Sequence, residues 1–149
     1  QIAVQASLTG HLVLATLHTN DATSAVTRLL DMGVEPFLLA STLRGVLAQR
    51  LIRKLCPACR IIRPDGQAEW NPSGCPDCRH SGYKGRTGIH ELFTVDDTAR
   101  ELIHTNQSEA ALRDAALRNG MRSLYDDGYR WVRNGVTTHE ELVRVTRDA

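Results

Sequence analysis

The sequence predicts an α/β fold, and three observations carry that prediction. The unbroken apolar run His11-Leu12-Val13-Leu14-Ala15-Thr16-Leu17 has the pattern of a strand buried on both faces, as in a parallel sheet. Helix signals surround it: capping oxygens at Thr19, Asn20 and Asp21, stop glycines at Gly10 and Gly33, and apolar residues three and four apart. A loop-rich segment, residues 56–82, then interrupts the regular pattern with all four cysteines and four of the five prolines. At 149 residues the chain can bury one ordinary core, or a main domain with a small appendage.

Taken in order, residues 1–9 read as the tail of a helix that ends near Gly10, and His11–Leu17 as the strand. Ala22 to Met32 carries a helical apolar face through Val26, Leu29 and Leu30, closed by Gly33. Pro36 suits the first turn of the next helix. The spacing of Leu39, Leu43, Val46, Leu47, Leu51 and Leu55 extends that helix to residue 55, with Arg50, Arg53 and Lys54 late, where the helix dipole favours cations. Beyond the cysteines, Thr87 to Val95 reads as a strand and the remainder as helices. Asn106 with Glu109, and Thr137 with Glu140, have capping-box spacing, and Gly120 and Gly135 read as stops. The chain thus divides into residues 1–55, 56–82 and 83–149, with no internal repeat.

Eighteen basic and seventeen acidic residues leave a formal charge of +1, which favours no class of partner. No apolar run approaches the ~20 residues of a membrane span. The opening Gln1-Ile2-Ala3-Val4-Gln5-Ala6 is not a signal peptide, and without an initiator Met it reads as part of something longer.

The cysteines give the sharpest local signal. Cys56-Pro57-Ala58-Cys59 and Cys75-Pro76-Asp77-Cys78 are two C-P-x-C turns separated by fifteen residues. Each turn can aim two thiolates at one side of a metal, and two turns complete a tetrahedron, so the pattern predicts one structural zinc ion. No acidic residue lies between Glu35 and Asp65, whereas Arg44, Arg50, Arg53, Lys54, Arg60 and Arg63 do, and these cations can balance the thiolate charge. Two disulfides or a redox pair are the alternatives. Trp70 reads as a cover for the zinc turns and Trp131 as a core anchor.

Several motifs carry a resemblance. The segment Gln5-Ala6-Ser7-Leu8-Thr9-Gly10-His11-Leu12-Val13-Leu14-Ala15-Thr16-Leu17-His18-Thr19-Asn20-Asp21-Ala22 closely resembles the histidine box of the secretion and type IV pilus motor ATPases. Leu47-Ala48-Gln49-Arg50-Leu51 running into Cys56 is similar to that family's approach to its tetracysteine motif. Gly82-Tyr83-Lys84-Gly85-Arg86-Thr87-Gly88-Ile89-His90-Glu91-Leu92 follows in the family's order, as do Met121-Arg122-Ser123-Leu124-Tyr125-Asp126-Asp127-Gly128 and Thr138-His139-Glu140-Glu141. Gly-Ile-His-Glu-Leu and the C-terminal pattern resemble the type II secretion branch more than the pilus assembly branch. The fifteen residues between the cysteine pairs are fewer than is usual there.

The resemblance implies the C-terminal portion of a RecA-like P-loop ATPase domain with an inserted tetracysteine zinc module and a C-terminal helical region. It implies a hexameric ring of identical copies that uses ATP and Mg²⁺ in the cytoplasm. There the ring drives a secretion platform at the inner face of the inner membrane and meets the membrane only through partners. The alternatives are a pilus assembly ATPase and a free-standing zinc ribbon. A nucleic-acid role for the basic run is disfavoured, because Trp70 is the one aromatic residue of the ribbon available for base stacking.

Ligands of open parallel sheets bind beyond the carboxyl ends of the strands, so His18, where the apolar run stops, could face a terminal phosphate. A lone histidine at a strand end is also commonly structural. His11, at the other end of the run, is the lesser candidate. Arg86, among Gly82, Gly85 and Gly88, is a candidate nucleotide or subunit contact or else a solvated turn residue. No G-x-x-x-x-G-K-[ST] occurs anywhere in the chain, so on its own it is expected not to hydrolyse ATP. The apolar run, lacking its flanking strands, is expected to promote association.

Overall fold

Residues 43–55 contain leucines at 43, 47, 51 and 55, a spacing of four that one face of a helix and one face of a strand both satisfy. The computed structural model, which describes residues 2–62 and 70–147, resolves that ambiguity in favour of a strand. Helices α1 (Ile2–Leu8), α2 (Ser24–Asp31) and α3 (Pro36–Thr42) are followed by strands β1 (Gly45–Leu55), β2 (Ile61–Ile62) and β3 (Trp70–Asn71). A 3-10 turn (Pro76–Cys78) leads to β4 (Tyr83–Thr94), then α4 (Asp97–His104), α5 (Glu109–Arg118), α6 (Leu124–Arg133) and α7 (His139–Thr146). The helix opened by Pro36 stops at Thr42 because Leu43 turns to extended backbone, ψ 124°. From Gly45 the exposure alternates, with Leu47 and Leu51 outward and Ile52 buried. Arg50, Arg53 and Lys54 therefore lie on a strand and complement no helix dipole.

β1 pairs with β4, and β2 pairs antiparallel with β3, Ile62 opposite Trp70. The bonds that flank the longer ribbon, Val95 N–H to Arg44 O and Cys56 N–H to Gly82 O, fix it as antiparallel. The strand expected at Thr87–Val95 is thus present and longer. The strand expected at His11–Leu17 is not: residues 11–19 have no regular structure, and Leu12 and Leu14 are 85 % and 88 % exposed. A strand exists only where a neighbour takes its N–H and C=O groups. Among the described residues the strands pair only as stated, and none lies beside this run.

The chain forms two compact units, and the boundary crosses both long strands. The first takes residues to Ala48 together with Glu91–Arg122. Here α3 packs on α1 and α4, and α5 on α4 and α2, around Leu39, Phe93, Ile103 and Leu112. The second takes Gln49–His90 and residues from Ser123 onward, with α6 against α7 around Ile52, Ile89, Leu124, Val132 and Leu142. Trp131 packs against this second core, the anchoring role its sequence position suggests. No helix among the described residues is long and apolar enough to cross a membrane.

Local caps account for the helices. Asp96, Ser108, Ser123 and Thr138 each accept the N–H three residues on, a bond worth about 1 kcal/mol apiece. Two of the expected caps are displaced. Ser108 rather than Asn106 caps α5, and Asn106 takes a left-handed φ of 54°. Thr138 rather than Thr137 caps α7, because the Thr137 hydroxyl donates to Arg53 O at 2.7 Å.

Gly128 is the tightest point of the second core: a Cβ there would overlap Leu142 Cδ1 and stand 3.3 Å from Ile89 Cγ2. Gly128→Val gains little helix propensity and overpacks a filled core, so it should destabilise the second unit by about 2 kcal/mol. Urea unfolding followed by circular dichroism measures this, and a loss below half that value would mean that α6 and α7 move apart without strain.

Candidate functional site

The end of β1 delivers the first cysteine pair. Cys56 N–H bonds Gly82 O at 2.9 Å, and the chain then turns through Cys59 N–H to Cys56 O. The second pair sits on the 3-10 turn, where Pro76 occupies the first helical position. Gly82 closes the module: a Cβ there would overlap Pro72, while its N–H donates to Cys78 Sγ at 3.2 Å.

The four thiols are free, and their sulfur atoms all lie within 4.8 Å of one another. Cys56–Cys75, Cys59–Cys78 and Cys75–Cys78 are each 3.8 Å apart. A metal–sulfur bond of about 2.3 Å in a regular tetrahedron sets an edge of about 3.8 Å, so the cluster has the dimensions of a four-thiolate metal site. A disulfide requires about 2.05 Å between sulfurs, which no pair here approaches. Gly74 and Cys75 donate N–H groups to Cys59 and Cys78, each at 3.3 Å. Burial opposes charge on Cys78, but N–H donation from Cys75 and Gly82 prevails and brings its thiol down to about 6. At Cys75 the Cys78 backbone bond lowers the pKa, while burial and the Cys59 and Cys56 sulfurs prevail and push it up to about 11.

Two of the cations expected to balance this charge, Arg53 and Arg60, are engaged elsewhere. Arg53 binds Glu141 at 2.7 Å and stacks on Tyr83. Arg60 donates to Gly135 O at 2.6 Å and lies over the Trp70 ring. Trp70 therefore contacts the turn after α6, where a Cβ on Gly135 would overlap its Cδ1 and Nε1. Arg63 lies outside the described residues.

Sequence reasoning named three further residues. His11 is exposed, its Nδ1 3.1 Å from Thr9 Oγ1. His18 is exposed on the irregular segment of the first unit, and Arg86 is exposed on β4 in the second.

It missed three buried acids inside the quoted motifs. Glu91, 0 % exposed, accepts Ala22 N–H and holds Arg113. Asp127 accepts His90 N–H at 2.8 Å and pairs with Arg130. Glu141 lies between Arg53 and Arg144. Burial works against its charge, but hydrogen bonds and charge from Arg144 and Arg53 prevail and hold its carboxyl below the usual range. The only advance signal was an acid within an otherwise apolar motif, Ile89-His90-Glu91-Leu92 being the plainest.

The chain is 65 % identical over 149 residues to Type II secretion system protein HxcR of Pseudomonas aeruginosa, covering all of this chain and 31 % of that protein. It is 52 % identical over 163 residues to Type II secretion system ATPase E of Vibrio cholerae, covering 100 % of this chain and 32 % of that one. It thus spans about a third of the length of the curated relatives it matches. Among solved structures, the pilus retraction motor PilT with bound ADP superposes with a TM-score of 0.69 at 24 % identity over 99 % of this chain and 36 % of that one. The ATPase DotB of Legionella pneumophila gives 0.66 at 17 % identity over 98 % and 34 %. These two share the α/β fold of the corresponding third of their chains. Residues 1–144 match the family model described as Type II/IV secretion system protein, and the chain belongs to that family.

Proposed function

We propose that this chain is the C-terminal portion of a RecA-like P-loop motor ATPase that powers type II secretion. The observation that carries the reading is the identity along its whole length, 52 %, to a protein named as the type II secretion ATPase. Residues 1–55 supply the histidine segment of the ATPase core, 56–82 the zinc module, and 83–149 the C-terminal strand and helices. Cys56, Cys59, Cys75 and Cys78 hold one Zn²⁺. The ion leaves no coordination position open and serves as a cross-link rather than a catalyst. The complete protein uses ATP and Mg²⁺, assembles as a hexameric ring, and docks on platform proteins at the cytoplasmic face of the inner membrane. His18 hydrogen-bonds a terminal phosphate oxygen, His11 is the lesser candidate for contact with the same nucleotide, and Arg86 reaches nucleotide or a neighbouring copy.

The test replaces the matching region of the Vibrio cholerae ATPase E with this chain. The resulting protein should turn over ATP with Mg²⁺, and the chain alone should not, since it carries no phosphate loop. His18→Ala in that protein should lower kcat by 10- to 100-fold with zinc content unchanged. Turnover equal to that of the unsubstituted protein would return His18 to a structural role, and steady turnover by the isolated chain would overturn the motor reading.

A further inference from the structure

The first unit contains a buried charge cluster that the proposed reaction does not use. Glu91 is 0 % exposed on β4, in a position where an apolar residue would close the core without desolvating a charge. Its Oε1 accepts Ala22 N–H at 3.0 Å across 69 residues of sequence. Arg113 of α5 grips both of its oxygens, at 3.2 and 3.4 Å, and reaches Asp21 Oδ2 at 3.3 Å from the same guanidinium. The other Asp21 oxygen accepts Ser24 N–H at 2.8 Å, and Asp21 N–H is 3.2 Å from Ser24 Oγ. Thr19 Oγ1 donates to Asp21 O. Apart from the Arg113–Glu91 fork itself, every bond in this set ends on residues 19–24, the peptide that follows His18.

The change along that peptide is abrupt. His18 is exposed on irregular chain, while Ala22 and Thr23 are 0 % exposed. Four residues of extended chain span at most about 14 Å, so whatever fixes Ala22 fixes the radius within which His18 can move. Helix α2 supplies only a local hold: Thr23, in its N-cap position, makes no side-chain capping bond, and the Asp21–Ser24 bonds stay within the turn. The long-range anchor is supplied from outside, by a carboxylate on β4 and a guanidinium on α5.

We propose that Glu91 and Arg113 are positioning residues for His18, acting through the Asp21–Ala22 peptide to hold the histidine where it meets nucleotide. The proposal rests on the reading of His18 given above. A carboxylate held by a guanidinium is a stronger acceptor for a backbone N–H than a neutral oxygen, and a fork fixes its plane. Loss of the acceptor for Ala22 N–H would leave the histidine present but its angle undefined, which lowers turnover and leaves substrate affinity largely intact.

The experiment has two arms. On the chain itself, amide exchange by NMR should show Ala22 and Ser24 losing protection by at least tenfold in Glu91→Ala, with the amides of α4 little changed. Glu91→Gln, which keeps an oxygen for Ala22 N–H, should retain most of that protection. In the Vibrio cholerae protein carrying this chain, Glu91→Ala should lower kcat at least tenfold with the KM for ATP within twofold. Glu91→Gln should recover turnover to within threefold. Ile103→Ala, a core substitution that also lowers thermal stability, should leave kcat within twofold. The double variant His18→Ala/Glu91→Ala should be no slower than His18→Ala, because Glu91 acts through the histidine. A kcat loss in Glu91→Ala no greater than in Ile103→Ala overturns the proposal, as does a double variant slower than His18→Ala. His18→Ala at full turnover overturns instead the nucleotide reading on which the proposal stands, and the two failures are told apart by that single variant.

Discussion

Removing the metal from the four cysteines should unfold the module that they organise and loosen the turn between α6 and α7. Native mass spectrometry is expected to show one zinc ion per chain. The module has almost nothing else to hold it: β2 and β3 are two residues each, and Ile61 and Ile62 are 51 % and 60 % exposed. Between Cys56 and Gly82 the buried residues described are those two and Cys78. Apparent binding energies of structural zinc are about 10–16 kcal/mol at neutral pH, at or above the ~5–15 kcal/mol that stabilises a whole domain. The loss should spread along two bonds, Leu55 N–H to Val136 O at 2.7 Å and Arg60 to Gly135 O. Hydrogen exchange after chelation should therefore rise in residues 56–62 and 70–82, and then in 133–138. Cys78→Ser should reproduce the effect, since Cys78 receives both the Cys75 and the Gly82 N–H groups. A metal-free chain with unchanged exchange in these segments would sink the assignment.

What could be read from the sequence depended on how far each determinant lies from its partner. Two C-P-x-C turns fix their own ligand pairs, so the tetrahedral cluster was legible without any knowledge of the fold. Helices α5 and α7 were legible for the same reason: a cap acts over three residues, and the two misplaced caps moved by only one or two positions. Helix α2 was legible from its apolar spacing and Gly33, whereas α4 and α6 could be read only as part of a helical remainder. Residues 43–55 were misread because leucines four apart fit either period, and the strand that decides the matter begins at Tyr83. The run His11–Leu17 has strand composition but no neighbour among the described residues, and composition alone does not pair a backbone. The buried acids were the hardest. Besides nearer arginines, Glu91, Asp127 and Glu141 bind groups 69, 37 and 88 residues away, respectively, so each could be seen in its motif without that long-range role being visible.

Glu141→Ala should destabilise the second unit by about 2–3 kcal/mol. Removing one member of a fully buried ion pair costs about 3–5 kcal/mol, because the remaining charge is stranded. Here the carboxylate is buried, but the Arg53 and Arg144 side chains are 44 % and 55 % exposed and can rehydrate, which places the value below that range. The carboxylate also stands at the first turn of α7, where the helix dipole adds about 0.3–1 kcal/mol. The α7 cap itself survives, since Thr138 accepts the backbone N–H of residue 141 whatever its side chain. Because the folded-state pKa of Glu141 is depressed, its contribution is complete above the ordinary carboxylate value of about 4.3 and lost as pH falls through the lower folded value. That window lies where protons also compete for the thiolates, so acid titration would mix the two effects. From pH 6 to 8 the gap between the parent chain and Glu141→Ala should therefore be flat. The charge is isolated by Glu141→Gln, which keeps the volume and should still lose more than half of the full amount. In a cycle with Arg144→Met, the coupling between the two sites should be about 1 kcal/mol. Equal stability of Glu141→Gln and the parent in urea would mean that α7 is held by packing alone and that its two arginines contribute nothing.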